Sequence, residues 1–378
     1  MIRFTSIVWV MFVFITFGYS HPTKPHAKID AVFVLDSTGS MGGLIQTAKD
    51  KIWAIANTMA QAQPTPEIRI GFITYRDRGD QYITKISELT SDLDTAYSDL
   101  MSTKAGGGGD TPESVNQALN EAVHKFSWSK DKDAYKVVFL VGDAPPHMDY
   151  EQDVKYYLSC NEATKRGITV NTIQCGNMKN TEKVWKEIAK LGSGDYFKVD
   201  QNGGSVAVTT PYDKDISQTS QKLDQKKVYW GNRRELGRLK AKKETQRNIS
   251  EKSSLSSLAQ RAEYNMSSAG KYNNESKNDI CKLSESEIKK ISKKELPSEM
   301  QAMDEAEQID YVSKLKNEQN ETEKKLKDLT LKRRNYLAKK AKEVASSDKS
   351  NFENSVFRSI RKQAKEVANI EIKEAPSL

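Results

Sequence analysis

Asp36, Thr38 and Ser40 carry oxygen two residues apart, at the end of an apolar run, Ile29-Asp-Ala-Val-Phe-Val-Leu35. This spacing sends alternate side chains of an extended turn toward one point, and Gly39 permits the tight path. Far downstream, Thr111 follows four glycines, Gly106–Gly109, and Asp143 stands just past a second apolar run, Val137-Val-Phe-Leu-Val141. Two carboxylates and three hydroxyls make an oxygen-only donor set of the kind that suits a hard divalent cation. Most of the set is neutral. An ion held this way stays electrophilic and seeks one more anionic ligand from outside the chain.

An enzyme using the same metal, a hydrolase or a phosphoryl-transfer catalyst, is the alternative, and the sequence lends it little. An aspartyl nucleophile of the Asp-x-Asp type needs a second carboxylate where Thr38 stands. No Gly-x-x-x-x-Gly-Lys-Ser/Thr loop and no Gly-x-Ser-x-Gly is present. The four histidines (His21, His26, His124, His147) form no zinc spacing.

The elements that must hold these residues alternate in period. Residues 29–36, 68–75, 135–142 and 168–174 are short β-branched or aromatic runs, mostly continuous in apolar character, as in strands buried on both faces. Helical patterns lie between them, with Ile45, Ala48, Ile52, Ile55, Ala56 and Met59 on one face of the first. The others cover 92–103, 113–126 and 181–190, and a last strand is expected near 196–199. This order predicts an α/β fold, a doubly wound and mostly parallel sheet. Arg76-Asp-Arg-Gly-Asp80 is too short for a crossover helix, so it turns directly into one antiparallel edge strand, 82–89. Arg78-Gly79-Asp80 is therefore read as a hairpin turn. In open α/β sheets, ligands bind beyond the carboxyl ends of strands where the strand order reverses, and the Asp36 and Asp143 loops would meet there.

With these parts in place, Asp36-x-Thr38-x-Ser40, Thr111 and Asp143 resemble the metal-ion-dependent adhesion site (MIDAS) of the von Willebrand factor A (vWA) domain family. Val34-Leu-Asp-Ser-Thr-Gly-Ser-Met41, Gly71-Phe-Ile-Thr-Tyr-Arg-Asp77, Gly108-Gly-Asp-Thr-Pro-Glu-Ser114 and Val141-Gly-Asp-Ala-Pro-Pro-His147 are similar to a bacterial exported branch of that family. The resemblance implies a vWA domain over about 27–208. It also implies Mg²⁺, or Mn²⁺ or Ca²⁺, held directly by Thr38, Ser40 and at times Thr111, with Asp36 and Asp143 often acting through water. It further implies a non-enzymatic role, in which a protein ligand presenting Asp or Glu completes the coordination. Arg76, Asp77 and His147 lie by chain position on the same face and are candidates for contacting that ligand.

Residues 1–20 read as a secretory signal peptide: Arg3, an apolar stretch 7–17, and Gly18-Tyr-Ser20 before a cut at His21. The expected location is secreted, periplasmic or extracellular, with no membrane span once the signal is cleaved. Residues 213–378 hold 37 Lys and Arg against 27 Asp and Glu, so the net charge of +8 belongs to the C-terminal part. Its charges are mixed and few aromatics sit among them, which favours a solvated helical surface over nucleic-acid binding. Residues 213–300 read as a polar linker with short helices, partly disordered. Residues 301–370 read as a Lys/Glu-rich helical region with a weak coiled-coil seam of Val312, Leu315, Gln319, Thr322, Leu326, Leu329, Arg333 and Tyr336. Self-association along that seam, or packing on the first domain, would each cover it; the former would make the chain a structural protein assembled through its tail, with the first domain a passive cap. Of the three cysteines, Cys160 and Cys175 could pair in an exported chain.

Overall fold

In a computed structural model of the chain, residues 27–200, 209–274, 276, 278–344 and 351–373 are described. The expected signal peptide lies outside them. The N-terminal part runs β1 (Ala27–Asp36), α1 (Gly42–Met59), β2 (Ala62–Gln63), β3 (Pro66–Tyr75), β4 (Thr84–Thr90), α2 (Leu93–Ser102) and α3 (Val115–His124). It continues through β5 (Tyr135–Gly142), α4 (Tyr156–Lys165), β6 (Ile168–Cys175), α5 (Lys179–Leu191) and β7 (Ser193–Val199). Six strands form one sheet in the order β4-β3-β1-β5-β6-β7. Every pair is parallel except β3 with β4, as the short Arg76–Asp80 connection requires.

Successive side chains of a strand point to opposite faces, and β1 is covered on both. Ile29, Ala31, Phe33 and Leu35 enter one core, and Val32 and Val34 the other. The chain moves from β1 outward to β3 and β4, then crosses back to β5 on β1's other side. The order of the strands therefore reverses between β1 and β5, where Leu35 is paired with Val141. Asp36 and Asp143 leave the sheet side by side at that point. The helix α4 carries no strong apolar pattern. It buries Tyr156, Ser159, Cys160 and Ala163 at helical spacing, and the last three are polar or small.

The C-terminal part comprises α6 (Asp213–Gln225), α7 (Arg233–Lys252), α8 (Leu255–Met266), α9 (Ser268–Asn273), α10 (Glu285–Ile288), α11 (Glu305–Val344), α12 (Asn351–Ala368) and β8 (Glu371–Ile372). Here the structure corrects the expectation of a loosely ordered linker. Leu258 and Tyr264 of α8, and Val356, Phe357, Ile360 and Ala364 of α12, belong to the same core as Ile29 and Phe33 of the sheet. Trp53 of α1 packs against the rings of Tyr97 and Tyr264, with centroids 5.3 and 5.8 Å away. Gln363 of α12 bonds to Tyr135, Asn171 and Asp195 on the sheet. β8 then pairs antiparallel with β2.

Polar composition misled because these helices bury charge in pairs. Arg261 of α8 donates to both carboxylate oxygens of Asp94 on α2, at 2.6 and 2.7 Å, and to Asp224 of α6 at 3.0 Å. Burial pushes the Asp94 carboxyl up, but Arg261 outweighs it and holds it at about 2. Removing one partner of such a pair strands a buried charge and typically costs about 3–5 kcal/mol.

The predicted seam of α11 is real as a face, but it is covered within the chain, and this corrects the two-chain coiled coil. Val312 is buried beside Ile280 and Met300, and Leu326 and Leu329 are buried beside Ile216 and Ala259. Gln319 bonds to the Lys226 carbonyl at 3.0 Å, and Arg333 to Asp213 at 2.9 Å. Among the described residues no helix is long and apolar enough to cross a membrane.

The expected Cys160–Cys175 pairing is corrected as well. Both thiols are free. Cys160 sits under α5 in the core holding Val32, whereas Cys175 packs with Met41 and Ile45 at the start of α1. The sheet separates them.

The shared core generates a prediction about where the domain ends. A chain stopped after residue 212 keeps α1 and α2 but loses α8 and α12, and so uncovers the part of that sheet face and of α1 that these two helices cover. It should melt without a cooperative transition and bind a hydrophobic dye, whereas the full chain melts cooperatively. A sharp, full-amplitude melt of the shortened chain would contradict this.

Candidate functional site

The turn after β1 resolves into two directions. Ser37 faces β3, where its amide and its hydroxyl both donate to the Tyr75 carbonyl at 2.9 Å. Asp36, Thr38 and Ser40 converge on the other side. Asp36 Oδ1 accepts from the Thr38 amide at 2.8 Å and from Thr38 Oγ1 at 2.6 Å, and Thr38 Oγ1 lies 3.2 Å from Ser40 Oγ. Asp36 Oδ2 is buried and has no hydrogen-bond partner. Leaving a buried carboxylate oxygen unpaired is costly unless a cation or a proton compensates it.

Gly142 lets β5 end against this carboxylate. A Cβ there would lie 2.4 Å from Tyr75 Oη and 3.3 Å from Asp36 Oδ2. Asp143, the next residue, is buried, and its carbonyl accepts from Thr181 Oγ1 of α5 at 2.8 Å. The glycine run folds over the turn: Gly106 donates to the Ser37 carbonyl, Gly39 to the Gly107 carbonyl, both at 3.1 Å. Gly107 has φ +79°, and a Cβ on it would lie 2.3 Å from the Asp80 carboxylate, so only glycine closes this loop. Thr111 stands beyond it, exposed on the rim. The structure thus gathers Asp36, Thr38, Ser40 and Asp143 and keeps Thr111 on the loop above them.

Glu113 joins the group, and the sequence reading missed it. A Cβ on Gly108 would sit 3.5 Å from Thr38 Cβ and 3.6 Å from Glu113 Oε1, which places that carboxylate beside the turn. Glu113 Oε2 is buried without a partner. Its position two residues past Thr111 was the available signal. Burial, followed by the charges of Asp36, Asp77, Asp80 and Asp143, raises the Glu113 carboxyl to about 9. Burial likewise raises Asp36 to about 7, against the pull of its two bonds from Thr38; the Asp143 charge adds to the rise, and the Asp143 backbone, least of these, opposes it. Carboxylates crowded so that each raises the next form a site built for positive charge. The orphaned oxygen of Asp36 and the flanking hydroxyls fit a hard divalent cation.

The three contact candidates divide. Arg76 is corrected: it is buried, its Nε donates to the Ser37 carbonyl at 3.2 Å and its Nη2 to the Lys104 carbonyl at 2.9 Å, and it faces the Tyr82 ring. It holds the turn and the glycine loop together. Asp77 and His147 are buried near each other, with His147 Nε2 at 3.4 Å from Asp77 Oδ2. Arg78-Gly79-Asp80 forms the expected β3–β4 turn, with the Asp80 carboxylate accepting from the Gly108 amide at 3.0 Å.

An open sheet wound on both faces, with a hydroxyl–carboxylate cluster at its switch point, defines an α/β ligand-binding domain. Residues 31–210 match the von Willebrand factor A domain, and the chain carries a domain of that family. It is 32% identical over 121 residues to an ariadne-like RING finger protein of Acanthamoeba polyphaga mimivirus, covering 32% of this chain and 11% of that protein. It is 28% identical over 123 residues to alpha-protein kinase vwkA of Dictyostelium discoideum, covering 32% and 19%. The match thus spans less than a fifth of either relative. Similar solved structures include proximal thread matrix protein 1 from the mussel byssus (TM-score 0.35, 15% identity, 47% of this chain and 42% of that one). Another is the SpRpn10 VWA domain (TM-score 0.36, 14% identity, 46% and 89%). A vWA domain supports a role in protein interaction, and Asp77, Asp110 and His147 form a group that could hold a metal.

The raised carboxyls give a pH dependence with a definite sign. Both groups hold protons in the folded chain at a pH where the unfolded chain has lost them. Their contribution to stability is complete below the unfolded values and is lost as pH rises, through about 7 for Asp36 and about 9 for Glu113. In EDTA, Asp36→Asn should therefore gain stability relative to wild type between about pH 5 and about pH 8, by on the order of a few kcal/mol. Urea midpoints check this, and a difference that does not change with pH would refute it.

Proposed function

We propose that this chain is an exported, non-enzymatic binding protein whose vWA domain holds a divalent cation and captures a partner protein through that partner's Asp or Glu. Thr38 and Ser40 would supply hydroxyl oxygens, Asp36 and Asp143 carboxylates, and Thr111 a further hydroxyl from the glycine loop. Glu113 stands beside them. The observation that carries this reading is Asp36 Oδ2, a buried carboxylate oxygen with no partner beside two hydroxyls. When bound, Mg²⁺ or Mn²⁺ would supply a Lewis-acidic point able to accept a carboxylate from outside.

The surroundings suit a protein ligand. Met148 and Val154, on the segment between Asp143 and α4, and Tyr157 and Leu158, in the first turn of α4, are exposed large apolar side chains. Apolar side chains beside a charged centre are what a protein interface uses for area, while the charge sets orientation. Export rests on the signal-peptide pattern of residues 1–20 and is tested by the N-terminus of the mature chain.

A metal that binds only the folded state must raise the melting temperature. Mg²⁺ or Mn²⁺ should raise it in wild type, and Asp143→Ala should abolish most of the shift. A partner captured from the chain's own source should be released by EDTA. An unshifted wild-type melt would sink the metal assignment, and capture that is indifferent to EDTA would sink metal-dependent binding.

A further inference from the structure

Beside the Asp36 turn, three loops meet at a second cluster. Asp77 follows β3, Asp110 follows the glycine run, and His147 lies five residues past β5. His147 Nε2 is 3.4 Å from Asp77 Oδ2 and 3.7 Å from Asp110 Oδ2. The ring is 5% exposed, and Nε2 is buried without a hydrogen bond. It is also firmly oriented. Nδ1 lies 2.8 Å from Asp149 Oδ1, the ring stacks on Tyr150 at 4.0 Å, and the His147 amide donates to the Glu113 carbonyl at 3.1 Å.

With Nδ1–H donating to Asp149, the neutral ring turns its Nε2 lone pair toward two carboxylates. Three electron-rich atoms turned toward one another repel unless something positive lies between them. Asp77 cannot turn away, because Ser114 Oγ donates to its Oδ1 at 2.9 Å and Tyr150 Oη to its Oδ2 at 2.8 Å.

The geometry points to a second metal site, in which His147 Nε2, Asp77 Oδ2 and Asp110 Oδ2 bind a borderline divalent ion of the Zn²⁺ class. One imidazole with two carboxylates is a ligand set that Zn²⁺ accepts and that Mg²⁺, an oxygen-seeking ion, has little use for. Donors about 2.0–2.2 Å from a tetrahedral ion lie roughly 3.3–3.6 Å from one another. The separations of 3.4 and 3.7 Å are already close to that, and all three ligand atoms fall within 4.8 Å of one another. The Asp149–His147 contact is the carboxylate–imidazole pairing that fixes the tautomer of metal-bound histidines. Asp110 is 61% exposed, so the fourth position opens to solvent and can take water or a partner's group. Asp110 adjoins Thr111, so the glycine loop touches both sites, and the second site does not depend on the first being filled.

The test uses the full chain, stripped with EDTA and kept in excess Mg²⁺, titrated with Zn²⁺ alone and then with Co²⁺. Calorimetry should give one Zn²⁺ equivalent, and Co²⁺ should give visible bands of low-symmetry coordination. Asp110→Asn, at an exposed position that does not threaten folding, and His147→Ala should each weaken Zn²⁺ at least tenfold. Asp149→Asn should weaken it about 10–100-fold. Thr38→Ala should leave Zn²⁺ binding unchanged while removing the Mg²⁺ shift, which separates this site from the first. No Zn²⁺ binding in wild type, or equal binding in wild type, Asp110→Asn and His147→Ala, would overturn the proposal.

Discussion

A single buried carboxylate organises the carboxyl edge of this fold. Asp36 ends the central strand, satisfies one oxygen through Thr38, and leaves the other in a dry pocket. Neighbouring features read as accommodations of that charge. Glycine at 142 is required because Tyr75 and Asp36 fill the space a side chain would take. Arg76 is drawn inward to tie the turn to the glycine loop, and Ser37 turns away to anchor on β3. Asp143 and Glu113 add carboxyl groups where a protein without a cation would avoid them. Until a cation arrives, Asp36 and Glu113 relieve the crowding by keeping their protons to higher pH than free carboxyls do.

The core of the fold was legible because its signals are local. Continuous β-branched runs marked β1, β5 and β6, and a connection of five residues could only be a hairpin turn. Asp36, Thr38 and Ser40 were visible because an extended turn converts spacing directly into direction. The C-terminal part was misread because its helices bury small side chains and paired charges. Ser256, Ser257, Ala259 and Ala262 give no apolar stripe, and Arg261 looks like a surface residue until Asp94 and Asp224 are found around it. For the same reason α4 escaped notice, and the apparent seam of α11 found its cover in α6 and α8 rather than in a second chain.

The parts of the site that spacing could not reveal are those assembled from distant loops. Glu113, Asp77, Asp110 and His147 come together only through the closure of the glycine loop and the bridge between Glu113 and Pro146. Chain position put Asp77 and His147 on the ligand face, but it could not show that Asp110 joins them. The meaning of the cluster appears when His147 Nε2 is seen buried, unpaired and aimed at two carboxylates. The two clusters share one loop, so whatever occupies them sits on a common face, and the exposed Met148 directly follows His147 in the chain.

The claim at the centre of this account is that the unpaired Asp36 oxygen faces a metal. Crystals of the full chain grown with Mn²⁺ give the most direct measurement, through anomalous scattering from the ion. A strong peak is expected in coordination distance of Thr38 Oγ1 and Ser40 Oγ, next to the carboxylates of Asp36 and Asp143. Ordered protein at that turn with no peak there, or a proton-shared Asp36–Glu113 contact filling the space instead, would contradict it.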